Sequence, residues 1–306
     1  MVTVHKIHQF TGHKSSIYAL VYLQATNTLV SAGTDGYVVS WHIPTTPTFQ
    51  ESIGKVIAKI DGSIYALHAI VEKNYLIIGH NTDGIHGIDL TTNQEIFSVG
   101  FTKSAIFDIT HLGNDLLIAC GDGNVISIDL ETVALKNVLS FSSHHARCMA
   151  VCPQRNEIAI GYSDNHIRIF DSRTYLQKYD FEAHANSIFT LTYSPTGQYL
   201  LSGSRDAHLK IWQPEIMYTL QQDIVAHLFT INHILYNPNG DFFATCSKDK
   251  SIKLWRSVDF TLLKVIDKGR HAGHGTSINK LVWLDSMTLA SCSDDTTIVI
   301  WQIELS

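Results

Sequence analysis

Four times in this chain a histidine, a hydroxyl and an aspartate recur in the same order: His13, Ser31 and Asp35; His184, Ser202 and Asp206; His227, Thr245 and Asp249; His274, Ser291 and Asp295. These are the residue types of a nucleophilic triad, in which a carboxylate orients an imidazole that takes the proton of a hydroxyl. Repetition argues against that chemistry, because an active site has no reason to recur four times. A tryptophan stands six residues after each aspartate, at Trp41, Trp212, Trp255 and Trp301. The sets therefore read as structural, and no catalytic residue is assigned.

The other candidates for chemistry are weaker. Of 17 histidines, only His144-His145 and the stretch from Arg270 to Gly275 cluster, and His271 and His274 have no Cys or carboxylate at ligand spacing. Cys148 and Cys152 are four apart with no second pair, so no metal is expected. No glycine-rich loop between a strand and a helix offers a phosphate cradle, no clear helix is present, and no cofactor is expected. The five cysteines lie in strand-like apolar runs and read as buried thiols of a reducing, cytoplasmic compartment. A net charge of −6 gives no basic field for nucleic acid. No apolar run reaches the roughly 18 residues of a membrane span, and Met1 to Phe10 lacks the features of a secretory signal.

The elements that must position these residues repeat. A small-residue turn, an Asp or Gly, two or three β-branched residues and a Trp or its substitute return at Trp41, Ile88, Ile128, Phe170, Trp212, Trp255 and Trp301, separated by 47, 40, 42, 42, 43 and 46 residues. A period of 40 to 47 with several strands per unit marks a β-propeller. In the fifth unit, Ile188, Leu191 and Tyr193 lie on a first strand and Ser194 to Gly197 form a turn. Tyr199 to Ser202 is a second strand, Gly203 to Asp206 a turn, Leu209 to Trp212 a third strand, and Met217 to Asp223 a fourth. The fold expected is all-β: a seven-bladed propeller of four-stranded antiparallel blades in one domain, residues 1–306.

The repeat resembles the WD-repeat family, whose units read Gly-His, a strand, Ser/Thr four residues before Asp, and Trp six residues after it. Gly12 and Gly273 supply the glycine in two of the four matching units. The resemblance implies that His, hydroxyl, Asp and Trp form a buried hydrogen-bond relay within each such blade, a sensible arrangement because these groups can satisfy one another. Blades two, three and four depart together. Ile60, Thr102 and Ser142 stand where His would, Gly79, Ile118 and Ile160 replace the hydroxyl, and Ile88, Ile128 and Phe170 replace Trp. Their loss as a group is expected of a mutually dependent network, and these blades are expected to be held by apolar packing alone. Asp89, Asp129 and Asp171 follow the substituted residues. Blade seven ends with three strands, so Val4 to Phe10 is expected to close the ring as its fourth. Pro44 to Gly54 and Asp267 to Gly275 read as surface loops.

The resemblance also implies a binding face. One position after the first apolar residue of each inner strand are Tyr18, Tyr65, Phe107, Arg147, Phe189, Asn232 and Asn279, which in the family lie near the channel mouth on the top face. Thr34, Arg205, Lys248 and Asp294 precede the turn aspartates and rim the same face. Aromatic and Arg side chains are the usual anchors of interfaces. Tyr18, Tyr65, Phe107, Arg147, Phe189, Arg205 and Lys248 are thus the expected contacts of a monomeric, non-enzymatic scaffold for protein or peptide partners. Two alternatives remain open. One is a propeller hydrolase with a metal in its channel. The other is a substrate receptor of a cullin-type ubiquitin ligase, suggested by Phe170 to Arg173, which resembles a Trp-Asp-x-Arg docking box. An Asx-type turn is the plainer reading of those four residues.

Overall fold

The computed structural model describes residues 2–44, 54–82 and 84–305. It contains seven four-stranded antiparallel sheets, each ordered from an inner to an outer strand. The inner strands are Ile17–Leu23, Ile64–Ile70, Ile106–Leu112, Ala146–Cys152, Ile188–Tyr193, Ile231–Tyr236 and Ile278–Trp283. Each touches the inner strand on either side, and the last touches the first, which closes a ring around a channel. The molecule is a seven-bladed propeller.

In blade five the strands run Ile188–Tyr193, Leu200–Ser204, His208–Gln213 and Thr219–Val225. The second strand carries two residues into the expected turn, because Gly203 pairs with Leu209 and Ser204 with Ile188. The fourth begins two residues late, since Pro214–Ile216 forms a 3-10 turn and Met217 and Tyr218 adopt left-handed conformations. The sheet of blade seven joins Val2–Thr11 to Thr297–Leu305, with Val4 opposite Ile303 and Phe10 opposite Ile298. That pairing removes the exposed edge of the last blade.

Apolar side chains from neighbouring sheets fill each of the seven seams. The next-to-last residue of every second strand is small: Ala32, Gly79, Ala119, Gly161, Gly203, Cys246 and Cys292. The reason is space. A Cβ on Gly79 would come within 2.6 Å of Ile106 in the next blade, and one on Gly203 within 2.7 Å of Ile231. Cys246 and Cys292 thus serve as small apolar residues. All five cysteines are buried and unpaired, and burial pushes the Cys120 and Cys292 thiols up to about 12.

Two expectations need correction. Gly79 is not the hydroxyl equivalent of blade two. Leu67 pairs with Ile78 as Leu20 pairs with Ser31, so Ile78 holds that place. Counting back from Asp83 misled by one, because Thr82 occupies the position of Asp35 and the acid comes one residue late. Asp83 itself, and most of the expected loop from Pro44 to Gly54, lie outside the described residues. The segment from Asp267 to Gly275 is not wholly a loop, since Lys268–His271 forms one helical turn. The Asp267 carboxylate accepts from the Arg270 amide as its N-cap, and Ala272 ends it in a left-handed conformation.

Candidate functional site

The loop entering each inner strand and the turn after each second strand meet at one end of the channel. Thr34, Arg205, Lys248 and Asp294 donate their amides to Ser16, Ser187, Thr230 and Ser277, which lie just before the inner strands. In blades one, five, six and seven the structure brings the repeated polar sets together at this end. Trp41 Nε1 donates to Ser31 Oγ at 2.8 Å, Ser31 Oγ lies 2.8 Å from His13 Nε2, and His13 Nδ1 lies 2.9 Å from Asp35. The corresponding bonds are 2.8, 2.7 and 3.0 Å in blade five, 2.9, 2.8 and 2.9 Å in blade six, and 2.9, 2.9 and 3.1 Å in blade seven.

A neutral imidazole satisfies this chain of partners: the hydroxyl accepts from the indole and donates to Nε2, and Nδ1–H donates to the carboxylate. Burial favours that form in blades five and six, where it holds His184 and His227 below the usual histidine range. Burial works against ionisation of Asp206 and Asp249, but hydrogen bonds from the histidine and from loop amides prevail, so both carboxyls lie well below their ordinary range. A hydroxyl capped by an indole has no free nucleophilic role.

Blades three and four keep a remnant of this arrangement rather than apolar packing alone. Thr102 Oγ1 donates to Asp122 at 3.0 Å and Ser142 Oγ to Asp164 at 2.7 Å. Blade four adds ion pairs, with Arg168 lying 2.9 Å from Asp164 and 3.1 Å from Asp180. In blade two the buried His80 bonds instead to the Asp61 carbonyl at 2.6 Å. The expectation failed because small hydroxyls and an arginine can meet the turn carboxylate without the buried half of the network.

Five of the expected mouth residues form one continuous collar. Ring centroids of Tyr18 and Tyr65 are 5.3 Å apart, and those of Tyr65 and Phe107 are 5.8 Å apart. The Arg147 guanidinium sits 4.7 Å from the Phe107 ring and 4.5 Å from Phe189, a cation–π sandwich held by its Nε bond to Ser163. All five side chains are half-buried and border a cavity of about 860 Å³. Asn232 and Asn279 complete the circle as seam bolts: Asn232 donates to the Ile278 carbonyl and Asn279 to the Ile17 carbonyl. Arg205 and Lys248 are exposed on the rim.

Sequence reasoning missed three features here. His145, one of a pair weighed only as a metal ligand, packs its ring 5.5 Å from Phe107. Leu228 and Phe229, 82% and 59% exposed, stand on the loop entering blade six; a Leu-Phe pair directly after a relay histidine was the available signal. The third is a set of side chains inside the channel that cap the next blade's amides. Asp108 accepts from the Met149 amide at 2.8 Å, Thr190 from Ile234 at 3.0 Å, and His233 from Leu281 at 3.3 Å. The inner strand is a sheet edge whose amides need partners, and nothing in a single strand's sequence shows which neighbour will supply them.

At the other end of the blades, Phe170 is fully buried while Arg173 is exposed. Asp171 Oδ1 accepts from the amides of Arg173 and Thr174, as Asp89 and Asp129 do from theirs, so Phe170 to Arg173 forms an Asx-type turn. Among the described residues no helix is long and apolar enough to cross a membrane. Among the described residues no three His, Cys, Asp or Glu side chains gather as metal ligands would.

Residues 4–42, 135–171, 175–213, 218–256 and 266–302 match the family model described as WD domain, G-beta repeat. Each match runs from about the outer strand of one blade through the third strand of the next, and the unmatched stretch contains blade two, where the polar set is missing. The chain is 24% identical to Striatin-3 of Bos taurus over 242 residues, which covers 72% of this chain and 30% of that protein. It is 26% identical to a striatin homolog of Dictyostelium discoideum over 241 residues, covering 68% and 29%. Protein groucho of Drosophila melanogaster is 26% identical over 157 residues, covering 49% and 21%. The alignments thus span less than a third of each relative's length. With repeats matched over more than half of its residues, the chain belongs to the WD40 family of WD-domain, G-beta-repeat proteins.

Proposed function

We propose that this chain is a non-enzymatic scaffold that docks a protein or peptide segment at the channel mouth. The carrying observation is the collar from Tyr18 to Phe189, which offers an adaptable aromatic surface and a desolvated guanidinium around an open cavity. Large amphipathic rings and arginine are the side chains that most often dominate interface energetics. A partner that fits carries an apolar or aromatic anchor beside an acidic group. The exposed Arg205, Lys248, Leu228 and Phe229 extend the same surface. Membership of the WD40 family supports this reading at the level of the fold. Five buried, unpaired thiols suit a reducing compartment, and the cytoplasm is the proposed location.

The test is a pull-down with the full chain, followed by quantitative binding of a captured partner. Tyr65→Ala with Phe107→Ala should weaken it by about 2 kcal/mol or more. Arg147→Glu should slow association in a salt-dependent manner. Unchanged binding in both, with loss on Arg173→Glu, would move the interface to the opposite face and favour the ligase-receptor reading.

A further inference from the structure

The channel differs in sign from the molecule. The chain carries a net charge of −6, yet the charged residues lining the cavity are Arg147 and Lys280 against Asp108 alone. The two lining histidines are neutral and leave that balance unchanged. Burial drives His68 down to about 4 and holds His233 well below the ordinary range. Asp108 is the single carboxyl of the lining: burial pushes it up, Lys280 and the Met149 and Ile109 amides pull it back, and its two oxygens are already engaged by those amides.

Lys280 stands on the inner strand of blade seven, at the position of Asp108, Thr190 and His233 on theirs. Those three side chains accept from the neighbouring blade's amide, and an ammonium cannot. Among the described residues it has no ion pair within 4.0 Å and no hydrogen bond. Arg147, at the collar above, uses only its Nε toward Ser163, leaving its remaining nitrogens without a hydrogen-bonded partner among the described residues. A cation without a partner in a walled cavity concentrates anions, because the low-dielectric walls focus its field. The cavity of about 860 Å³ is large enough for a ligand with an apolar body as well as a charged tip.

We propose that the channel takes the carboxylate of an acidic side chain from a docked partner segment, with Lys280 as its counter-ion and Arg147 as the charge met on entry. This rests on docking at the mouth and adds the chemistry of the group that enters. The aromatic collar holds the apolar part of the segment, and the carboxylate replaces the solvent around the ammonium.

Two acetylated, amidated tripeptides test it, one with two glutamates flanking a phenylalanine and its glutamine twin, titrated calorimetrically into the full chain. The glutamate peptide should bind about tenfold more tightly. Lys280→Met should erase the difference and Lys280→Arg should keep it, with melting curves showing both variants folded. Equal affinities for wild type, a preference that survives Lys280→Met, or no binding of either peptide at millimolar concentration would each overturn the inference. The Tyr65→Ala, Phe107→Ala variant separates this from the docking proposal. If it abolishes binding of both peptides while wild type binds them equally, docking at the mouth stands and the carboxylate site falls. Citrate that binds as tightly as the glutamate peptide and loses that affinity in Lys280→Met would assign the site to free carboxylates, and the partner-segment assignment would fail.

Discussion

Blades four and five share a seam but are held by different means. In blade five Trp212, Ser202, His184 and Asp206 form a chain from the buried indole to the rim carboxylate. In blade four Phe170 and Ile160 occupy the buried end, both without exposure, while Ser142 bonds Asp164 and Arg168 forms an ion pair with it at the rim. The difference shows where the relay is divisible. Indole N–H, hydroxyl and imidazole are buried, so each would be left unsatisfied without the next, and they disappear together. The carboxylate reaches solvent, so it survives with a smaller partner.

The largest effect expected concerns the one blade that is not continuous in sequence. Blade seven owns a full polar set, but its fourth strand comes from Val2–Thr11. Deleting residues 1–10 removes the buried Val4 and Phe10 and bares the Thr297–Leu305 edge. Aggregation or a clear loss of unfolding cooperativity should follow. A truncated protein that stays monomeric and melts like the full chain would show that the relay alone can hold a three-stranded blade.

Next in size is a direct exchange between blades four and five. Trp212→Phe should cost about 1–3 kcal/mol in urea unfolding, because Ser202 loses its buried donor. Phe170→Trp should give no gain, since Ile160 offers the indole N–H no acceptor. Equal shifts in the two variants would break the contrast.

Acid should separate histidines from carboxylates. His68 in blade two and His184 and His227 in relay blades have folded pKa values lowered below the unfolded value. The unfolded chain therefore binds more protons below about pH 6.5, and stability must fall as pH drops through that value. For His68, held at about 4, the loss between pH 6.5 and 5 is about 1–2 kcal/mol. The relay carboxyls shift the other way: their contribution is kept above the unfolded carboxylate pKa and lost only at lower pH. Urea midpoints at pH 7.5 and 5.0 check this, and His68→Gln should flatten the dependence. A pH-independent midpoint would contradict neutral burial.

Much of the fold was legible because a strand's identity is local. The 40–47-residue period, the turn clusters and the apolar alternation predict seven blades, and the lone Val4 to Phe10 strand predicts the closure. The mouth series was legible for the same reason, as each member follows the first apolar residue of its own inner strand. What escaped depends on register between elements distant in sequence. Ile78, rather than Gly79, faces Leu67 because of strand pairing, not distance from an aspartate. Arg168 replaces part of a relay through Asp164 in the preceding turn and Asp180 opposite it on the outer strand, and Asp108 meets an amide 41 residues away. The helical turn at Lys268–His271 escaped because four residues are too few for a periodic signal.

The smallest effect measures the rim end of the comparison. Ser142 and Ser202 are both relay-region serines in adjacent blades, but Ser202 is buried between Trp212 and His184 whereas Ser142 is half-exposed and bonds only the rim. Ser142→Ala leaves Asp164 with Arg168 and with the His166 amide, so its carboxylate stays satisfied. The His144 amide, which also donates to Ser142, is exposed and can turn to water. The cost should be about 0.5–1 kcal/mol, the net value of one partly solvated hydrogen bond. Ser202→Ala should exceed it at least twofold, because it orphans an indole N–H and an imidazole nitrogen away from water. If urea midpoints move equally in the two variants, burial is not what makes the relay indivisible, and the loss of His, hydroxyl and Trp as a group in blades two to four needs another cause.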